Sequence, residues 1–228
     1  MQAQDIMVRG VISVGPDMPV RAAAHAMVSN GVSALPVIGI DAKLVGIVSE
    51  GDLIRRVETD TERERSWWLE MFMSTDALAH EFVKSHAKHV ADVMTRDVIT
   101  AAPDASLREI ANLMEKHGIK RVPIVENEKV VGIVSRANLL QAFASCDDET
   151  DWVESDRVLR QRIIASVKGK PWASRPFNVI VTNQHADLWG FVFSESEKAA
   201  LRVAAEATPG VTSVADHLRV MSSHFAED

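Results

Sequence analysis

The chain has 228 residues, a formal net charge of −7, a hydrophobic share of 46% and a charged share of 25%, values ordinary for a globular chain with room for two modest domains. The acidic balance excludes a nonspecific nucleic-acid binder, and the single cysteine, Cys146, excludes an internal disulfide and points to a reducing, cytoplasmic setting. The opening MQAQDIMVRG lacks the basic segment and apolar run of a secretory signal, and no apolar run reaches bilayer length.

Taken in order, Val11–Val14 reads as a short strand. Asp17 and Pro19 open a helix whose inward stripe is Val20, Ala23, Ala24 and Met27, and Gly31 ends it. Leu35–Ile40 and Lys43–Ser49 read as strands around a tight turn at Asp41-Ala42. The second strand carries VGIVSEGDL, Val45 to Leu53, which runs straight into a helix. Ser49 stands at the N-cap and Asp52 follows at the spacing of a capping box. Such a turn is expected to leave free backbone N–H groups and a positive dipole end, which suit a phosphate, with Asp52 placed to hold two ribose hydroxyls. The same atoms would equally make an ordinary helix cap.

Val57 to His89 is an insert. It opens on charges of alternating sign (Glu58, Asp60, Glu62, Arg63, Glu64, Arg65) and turns apolar at Trp67, Trp68, Leu69, Met71, Phe72 and Met73. Adjacent tryptophans on a helix point about 100° apart, so one helix face cannot bury both. Either one of them meets another element or subunit, or both settle on their own repeat pair. His86 and His89 have helical metal-pair spacing, but no cysteine or acidic cluster joins them, so no metal site is assigned.

The chain then repeats itself. Asp5, Met7, Val11, Ile12, Pro16, Asp17, Met27, Gly31 and Pro36 recur in register as Asp92, Met94, Val98, Ile99, Pro103, Asp104, Met114, Gly118 and Pro123. After the loss of one turn residue, Gly46, Ser49 and Leu53 recur as Gly132, Ser135 and Leu139 in VGIVSRANL. Ser106 and Glu109 have capping-box spacing, and Leu107, Ile110, Ala111 and Met114 form the helix stripe. Units of roughly 50 residues are too small to close a good core alone, so the two are expected to pack on one another.

Ser145 to Asp156 is acidic and reads as a solvated linker. The sign then flips through Arg157, Arg160, Arg162, Lys168, Lys170 and Arg175, a basic run that would either serve an anionic surface or balance the linker beside it. Leu159, Ile163 and Val167 give this helix its apolar stripe. Phe177–Thr182 and Ala186–Phe193 read as strands joined across Asn183-Gln184-His185. Ser194 and Glu197 cap a further helix with Ala200, Val203, Ala204 and Ala207 inward, and Val211 to Met221 closes the unit.

GVSALPVI with VGIVSEGDL, and GIKRVPIV with VGIVSRANL, resemble the two halves of a tandem CBS-domain pair, the Bateman module. FNVIVTNQHADLWGFV, SESEK and PGVTSVADHLRV resemble a BON domain. The resemblance implies an α+β fold with α/β-like repeats: two β-α-β-β-α units paired about a pseudo-twofold axis, then a small α-β-β-α-β domain. The expected divisions are repeat 1 at 1–56, the insert at 57–89, repeat 2 at 90–145, the linker at 146–154 and the BON-like domain at 155–224.

In the CBS family each cleft mixes repeats. Carried over, one cleft joins Ser49, Asp52 and Ile47 to Val98, Ile99, Lys120, Arg121 and Val122. The other joins Ser135, Asn138, Arg136 and Ile133 to Val11, Ile12, Val32, Ser33 and Ala34. The resemblance implies an adenosine-containing ligand (AMP, ADP, ATP, NAD or S-adenosylmethionine), no required cofactor, a CBS homodimer, and a tail that meets a phospholipid surface or a protein partner. The sequence has no G-x-S-x-G, Walker, G-x-G-x-x-G or H-E-x-x-H pattern, so a regulatory sensor rather than an enzyme is expected. The competing expectation is an envelope-associated adaptor with vestigial clefts.

Overall fold

The structure is a computed structural model and describes residues 1–54, 61, 75–146 and 154–221. Trp67, Trp68 and most of the expected acidic linker lie outside those residues. Two compact units divide the chain, Ile12–Val98 and Met1–Val11 joined with Ile99–Asp228. Met1–Val11 carries α1 (Ala3–Ile6). The unit Ile12–Val98 contains α2 (Val20–Asn30), β1 (Ala34–Ile38), β2 (Leu44–Ser49), α3 (Glu50–Leu53), α4 (Thr75–His86) and α5 (Val90–Val93). From Ile99 onward come α6 (Leu107–Lys116), β3 (Arg121–Glu126), β4 (Lys129–Ser135) and α7 (Arg136–Ala144). The tail adds α8 (Glu154–Val167), β5 (Phe177–Thr182), β6 (His185–Val192), α9 (Glu195–Glu206) and β7 (Ser213–Val220).

Each repeat is an antiparallel hairpin under a helix, β1 with β2 and β3 with β4. In the first, Val20, Ala23 and Met27 of α2 close over Leu35, Val37 and Val48. In the second, Ile110 and Met114 of α6 close over Val122, Ile124 and Val134. Gly31 stops α2 in the left-handed region at φ 64°, a conformation that favours glycine. The expected strand Val11–Val14 is instead a single bridge, in which Val14 donates to Pro36 O (3.0 Å) and accepts from Ile38 N (2.8 Å). Ala101 does the same between Pro123 and Val125. Pro16 and Pro103 follow within two residues and offer no N–H to a ladder, so neither bridge extends in the C-terminal direction.

The leading segments are exchanged. Ala3 and Gln4, which precede repeat 1, donate to Ala105 O and Pro103 O of repeat 2, both at 2.8 Å. Val8 pairs with Ile133. Val90 and Ala91, which precede repeat 2, donate to Met18 O (3.0 Å) and Pro16 O (2.9 Å) of repeat 1, and Thr95 pairs with Ile47. Ile6 and Met7 are buried in the second repeat's core, and Val90 and Val93 in the first's. The sequence repeat and the compact unit therefore follow different boundaries.

In the tail, β5 pairs antiparallel with β6, β7 pairs parallel with β6, and α9 supplies the crossover that a parallel pair requires. Leu159, Ile163 and Val167 of α8 cover Val179, Val181, Leu188 and Leu218. The α9 stripe differs from expectation by one position: Leu201 and Ala205 are buried while Val203 is 52% exposed. Alanines lie all round this helix, so the phase is set by Leu201, which has the most apolar area to bury. The hairpin turn is the two-residue Asn183-Gln184, with φ 50° and 64°. Asp156 accepts from both turn amides at 3.0 Å and is fully buried, so the end of the acidic stretch is not solvated linker.

Two residues of the basic run, expected to serve an anionic surface or to balance the acidic linker, turn inward instead. Arg157 donates to Asp5 (2.8 Å) and to Gln2 (2.8 Å). Arg160, 2% exposed, donates Nε to Val179 O (2.7 Å), Nη1 to Gln4 O (2.9 Å) and Nη2 to Met7 O (2.7 Å). Burial lowers its pKa from the ordinary guanidinium range to about 9, with repulsion from Arg9 adding to the effect and Asp5 opposing it, so at neutral pH it is charged. The other face of the tail sheet is buried too, with Ile180 in the repeat-2 core and Trp189 against it. The tail and the second repeat are one body.

Arg160→Met leaves the carbonyls of Gln4, Met7 and Val179 without this donor, those of Met7 and Val179 in buried contacts. The expected loss is at least about 3 kcal/mol, or roughly 6–12 °C of melting temperature for a chain of this size. Calorimetry checks it against the exposed control Lys168→Met, expected within about 0.5 kcal/mol of the parent.

Candidate functional site

β2 and β4 each end in a serine that is capped in return by the residue three positions on. Ser49 donates its N–H (3.0 Å) and its hydroxyl (2.7 Å) to Asp52 Oδ2. Ser135 donates the same two groups to Asn138 Oδ1, both at 2.7 Å, and its Oγ accepts from Asn138 N at 3.3 Å. Asp52 is 9% exposed and Asn138 4%, so each box is a buried polar knot at the rim of its repeat.

The expected free N–H groups at these turns are partly committed. Besides the serine amide, Glu50 N donates to Ser33 O (3.0 Å) and Arg136 N to Lys120 O (3.1 Å). The segment before each hairpin's first strand returns to the first helical turn and takes one of its amides. What the turn offers a ligand is thus mainly side-chain chemistry.

Gly46 and Gly132 are set by the exchanged leaders. A Cβ on Gly46 would lie 2.5 Å from Met94 Sδ and 3.1 Å from Thr95 O, and one on Gly132 would run into Met7. The glycine of each VGIVS strand is therefore a close-approach position for the leading methionine.

Of the other expected site residues, Ile47 exchanges backbone bonds with Thr95, both at 2.9 Å, and Ile133 with Val8 at 3.0 and 3.1 Å. Val122 and Ala34 are buried. Val11, Ile12, Val32, Ser33, Val98, Ile99 and Arg121 are half-buried, and Lys120 and Arg136 are exposed. Each expected set is divided between the two compact units. Ser49, Asp52, Ile47 and Val98 belong to Ile12–Val98, and Ile99, Lys120, Arg121 and Val122 to the other. Ser135, Asn138, Arg136, Ile133 and Val11 belong to the unit of the tail, and Ile12, Val32, Ser33 and Ala34 to Ile12–Val98.

Two contacts were not foreseen from sequence. Lys84 of α4 places Nζ 2.7 Å from Asp52 Oδ1, with the side chains 33% and 11% exposed. Gln141 of α7 accepts at Oε1 from Asn138 Nδ2 (3.1 Å) and from Asn178 Nδ2 of β5 (3.0 Å). Lys84 lies 32 residues beyond its partner, in an insert with no counterpart in the second repeat, so the repeat pattern carries no signal for it.

With this geometry the comparisons with known proteins become specific. The CBS domain matches residues 3–59 and 90–145, and the BON domain matches 155–222. The chain belongs to the CBS-domain family and ends in a BON domain. It is 38% identical over 125 residues to an uncharacterized protein of Methanocaldococcus jannaschii, covering 50% of this chain and 74% of that one. It is 30% identical to hypoxic response protein 1 of Mycobacterium tuberculosis, over 60% of this chain and 81% of that one. Inosine-5′-monophosphate dehydrogenase of M. jannaschii is 30% identical over 61% of this chain but only 23% of that enzyme. Among solved structures, CBSX2 of Arabidopsis thaliana in complex with AMP superposes with a TM-score of 0.55 at 28% identity, covering 64% of this chain and 98% of that one. Among the described residues no helix is long and apolar enough to cross a membrane.

The leader-to-glycine contact makes a prediction for the CBS pair. Gly46→Ala should cost about 1–3 kcal/mol by overpacking against Met94. Adding Met94→Ala removes the clashing sulfur, so urea denaturation of the double variant should show less than the sum of the two single losses.

Proposed function

We propose that the CBS pair is a non-enzymatic sensor of an adenosine-containing ligand, and that the BON tail carries its output to a membrane surface or a protein partner. The carrying observation is the buried Ser49–Asp52 and Ser135–Asn138 box at the end of one strand in each repeat. The AMP complex of CBSX2, a relative of the same fold, supports an adenine nucleotide as the ligand class. The dehydrogenase likeness adds no activity, since this chain spans less than a quarter of that enzyme. In this reading the protein is a cytoplasmic homodimer formed through its CBS module and needs no cofactor.

The proposed clefts join Ser49 and Asp52 to Lys120, Arg121 and Val122, and Ser135 and Asn138 to Val32, Ser33 and Ala34. The first offers an ionised carboxylate for ribose and two cations for phosphate. The second offers a neutral amide and a hydroxyl, with Arg136 next to them. Hydrogen bonds with an ionised partner are about twice as strong as neutral ones, so the Asp52 cleft should be the tighter site for a phosphorylated adenosine.

Asp52→Ala should cost about 1.5–3 kcal/mol of AMP binding and Asn138→Ala about 0.5–1.5 kcal/mol. Calorimetric titration reads both directly, and the reverse order would overturn the assignment of the clefts. AMP at 100 times its Kd should add about 2.7 kcal/mol of stability, a rise of roughly 5–10 °C in melting temperature. A melting temperature unmoved by AMP, ATP, NAD and S-adenosylmethionine would leave the adaptor reading instead.

A further inference from the structure

Three side-chain amides join the second capped turn to the tail sheet. Asn138 Nδ2 donates to Gln141 Oε1 (3.1 Å), and Asn178 Nδ2 of β5 donates to the same oxygen (3.0 Å). Both asparagines are buried. The polarity of this chain is dictated at its two ends by groups that can only donate. At one end the Ser135 N–H lies 2.7 Å from Asn138, which turns Oδ1 to the serine and Nδ2 to Gln141. At the other, Arg160 Nη2 faces Asn178 Oδ1 at 3.5 Å, which leaves Nδ2 for Gln141. Arg160 is itself held by the carbonyls of Val179, Gln4 and Met7. Two donors therefore converge on position 141, and only an acceptor there satisfies both.

The same bonds decide what Asn138 has left to offer. Its Oδ1 takes the serine N–H and hydroxyl, and one N–H of Nδ2 goes to Gln141. An amide carries two such N–H groups, so the other is left as a donor, whereas the carboxylate of Asp52 can only accept. Ser135 holds Asn138 through a single atom, about which the amide plane can turn. The bond to Gln141 fixes that plane, and with it the direction of the remaining N–H. We infer that the BON tail is part of the second site: through Asn178 and Gln141 it fixes the Asn138 amide and aims its remaining N–H at an acceptor oxygen of the ligand. This rests on the nucleotide reading of the turn given above. Gln141 is a positioning residue that acts through Asn138, and Asn178 supports it from the tail sheet. Asp52 has no amide to orient, so the effect belongs to the second turn alone.

The test is calorimetric titration of the full chain with AMP in two backgrounds, Asp52→Ala, which reads the second turn, and Asn138→Ala, which reads the first. Gln141→Met keeps the stem and removes the acceptor, and Gln141→Glu keeps an acceptor for both asparagines. In the Asp52→Ala background methionine should weaken AMP about fivefold, the worth of one neutral hydrogen bond, and glutamate should restore it to within about twofold. In the Asn138→Ala background neither change should move the affinity by more than about twofold. Asn178→Ala, within the BON domain, should likewise weaken AMP in the first background and not in the second. An equal loss in both backgrounds, a loss that glutamate fails to reverse, or no loss with Gln141→Met or Asn178→Ala overturns the inference while leaving the nucleotide reading in place. Side-chain amide NMR of the unsubstituted chain gives a readout that needs no variant. AMP should shift the Nδ2 protons of Asn138 and Asn178 together, and a shift of Asn138 with Asn178 unmoved overturns the inference too. Failure of every form, the unsubstituted chain included, to bind AMP removes the nucleotide reading and this inference with it.

Discussion

One side chain in each repeat closes the turn between strand and helix by accepting two hydrogen bonds from the serine three residues before it. That constraint shapes the rest of the site. A reciprocal cap of this kind is worth about 0.5–2 kcal/mol to folding, so Asp52 and Asn138 are held in place whether or not a ligand is present. Half of each side chain's bonding capacity is spent in doing so. For Asp52 only Oδ1 remains, and for Asn138 the amide nitrogen, which already donates once to Gln141. Each capped turn is preorganised, and narrow in what it has left to give.

The exchanged leaders explain why so short a motif needs two copies. Met7 lies against Gly132 and Met94 against Gly46, so the strand before each capped turn is packed by the segment that precedes the other repeat. The second unit then extends the principle. Its leader is also the surface to which the BON tail is fixed, with Arg160 taking the carbonyls of Gln4 and Met7. Gln141 stands between Asn138 of the grip and Asn178 of the tail sheet. The BON domain is built onto the back of repeat 2 by buried charge and shared hydrogen bonds.

Much of this was legible in the residues. The doubled VGIVS motif, the left-handed glycine after the first helix and the serine caps are local features, set by spacing, and the structure places them as read. The tail's α-β-β-α-β order was legible for the same reason. What was not legible is non-local. Arg157 and Arg160 read as part of a basic surface run until the leader's carbonyls and Asp5 are brought to them. Ala200 and Val203 match a helical stripe as well as Leu201 and Ala205 do, because an alanine-rich helix has weak phase. Lys84 reaches Asp52 from an insert that the repeat does not duplicate. For Arg157, Arg160 and Lys84 the partner lay far along the chain, and for the alanine-rich helix the local pattern left the phase open.

The central claim is that the two serine-capped turns are the ligand grip. Backbone amide NMR of the full chain, titrated with AMP, tests it most directly. The account predicts that the largest shifts fall on Ser49–Leu53 and Ser135–Asn138, with Lys84 shifting alongside the first group. Shifts confined to the BON domain, or an unchanged spectrum at millimolar AMP, would contradict it.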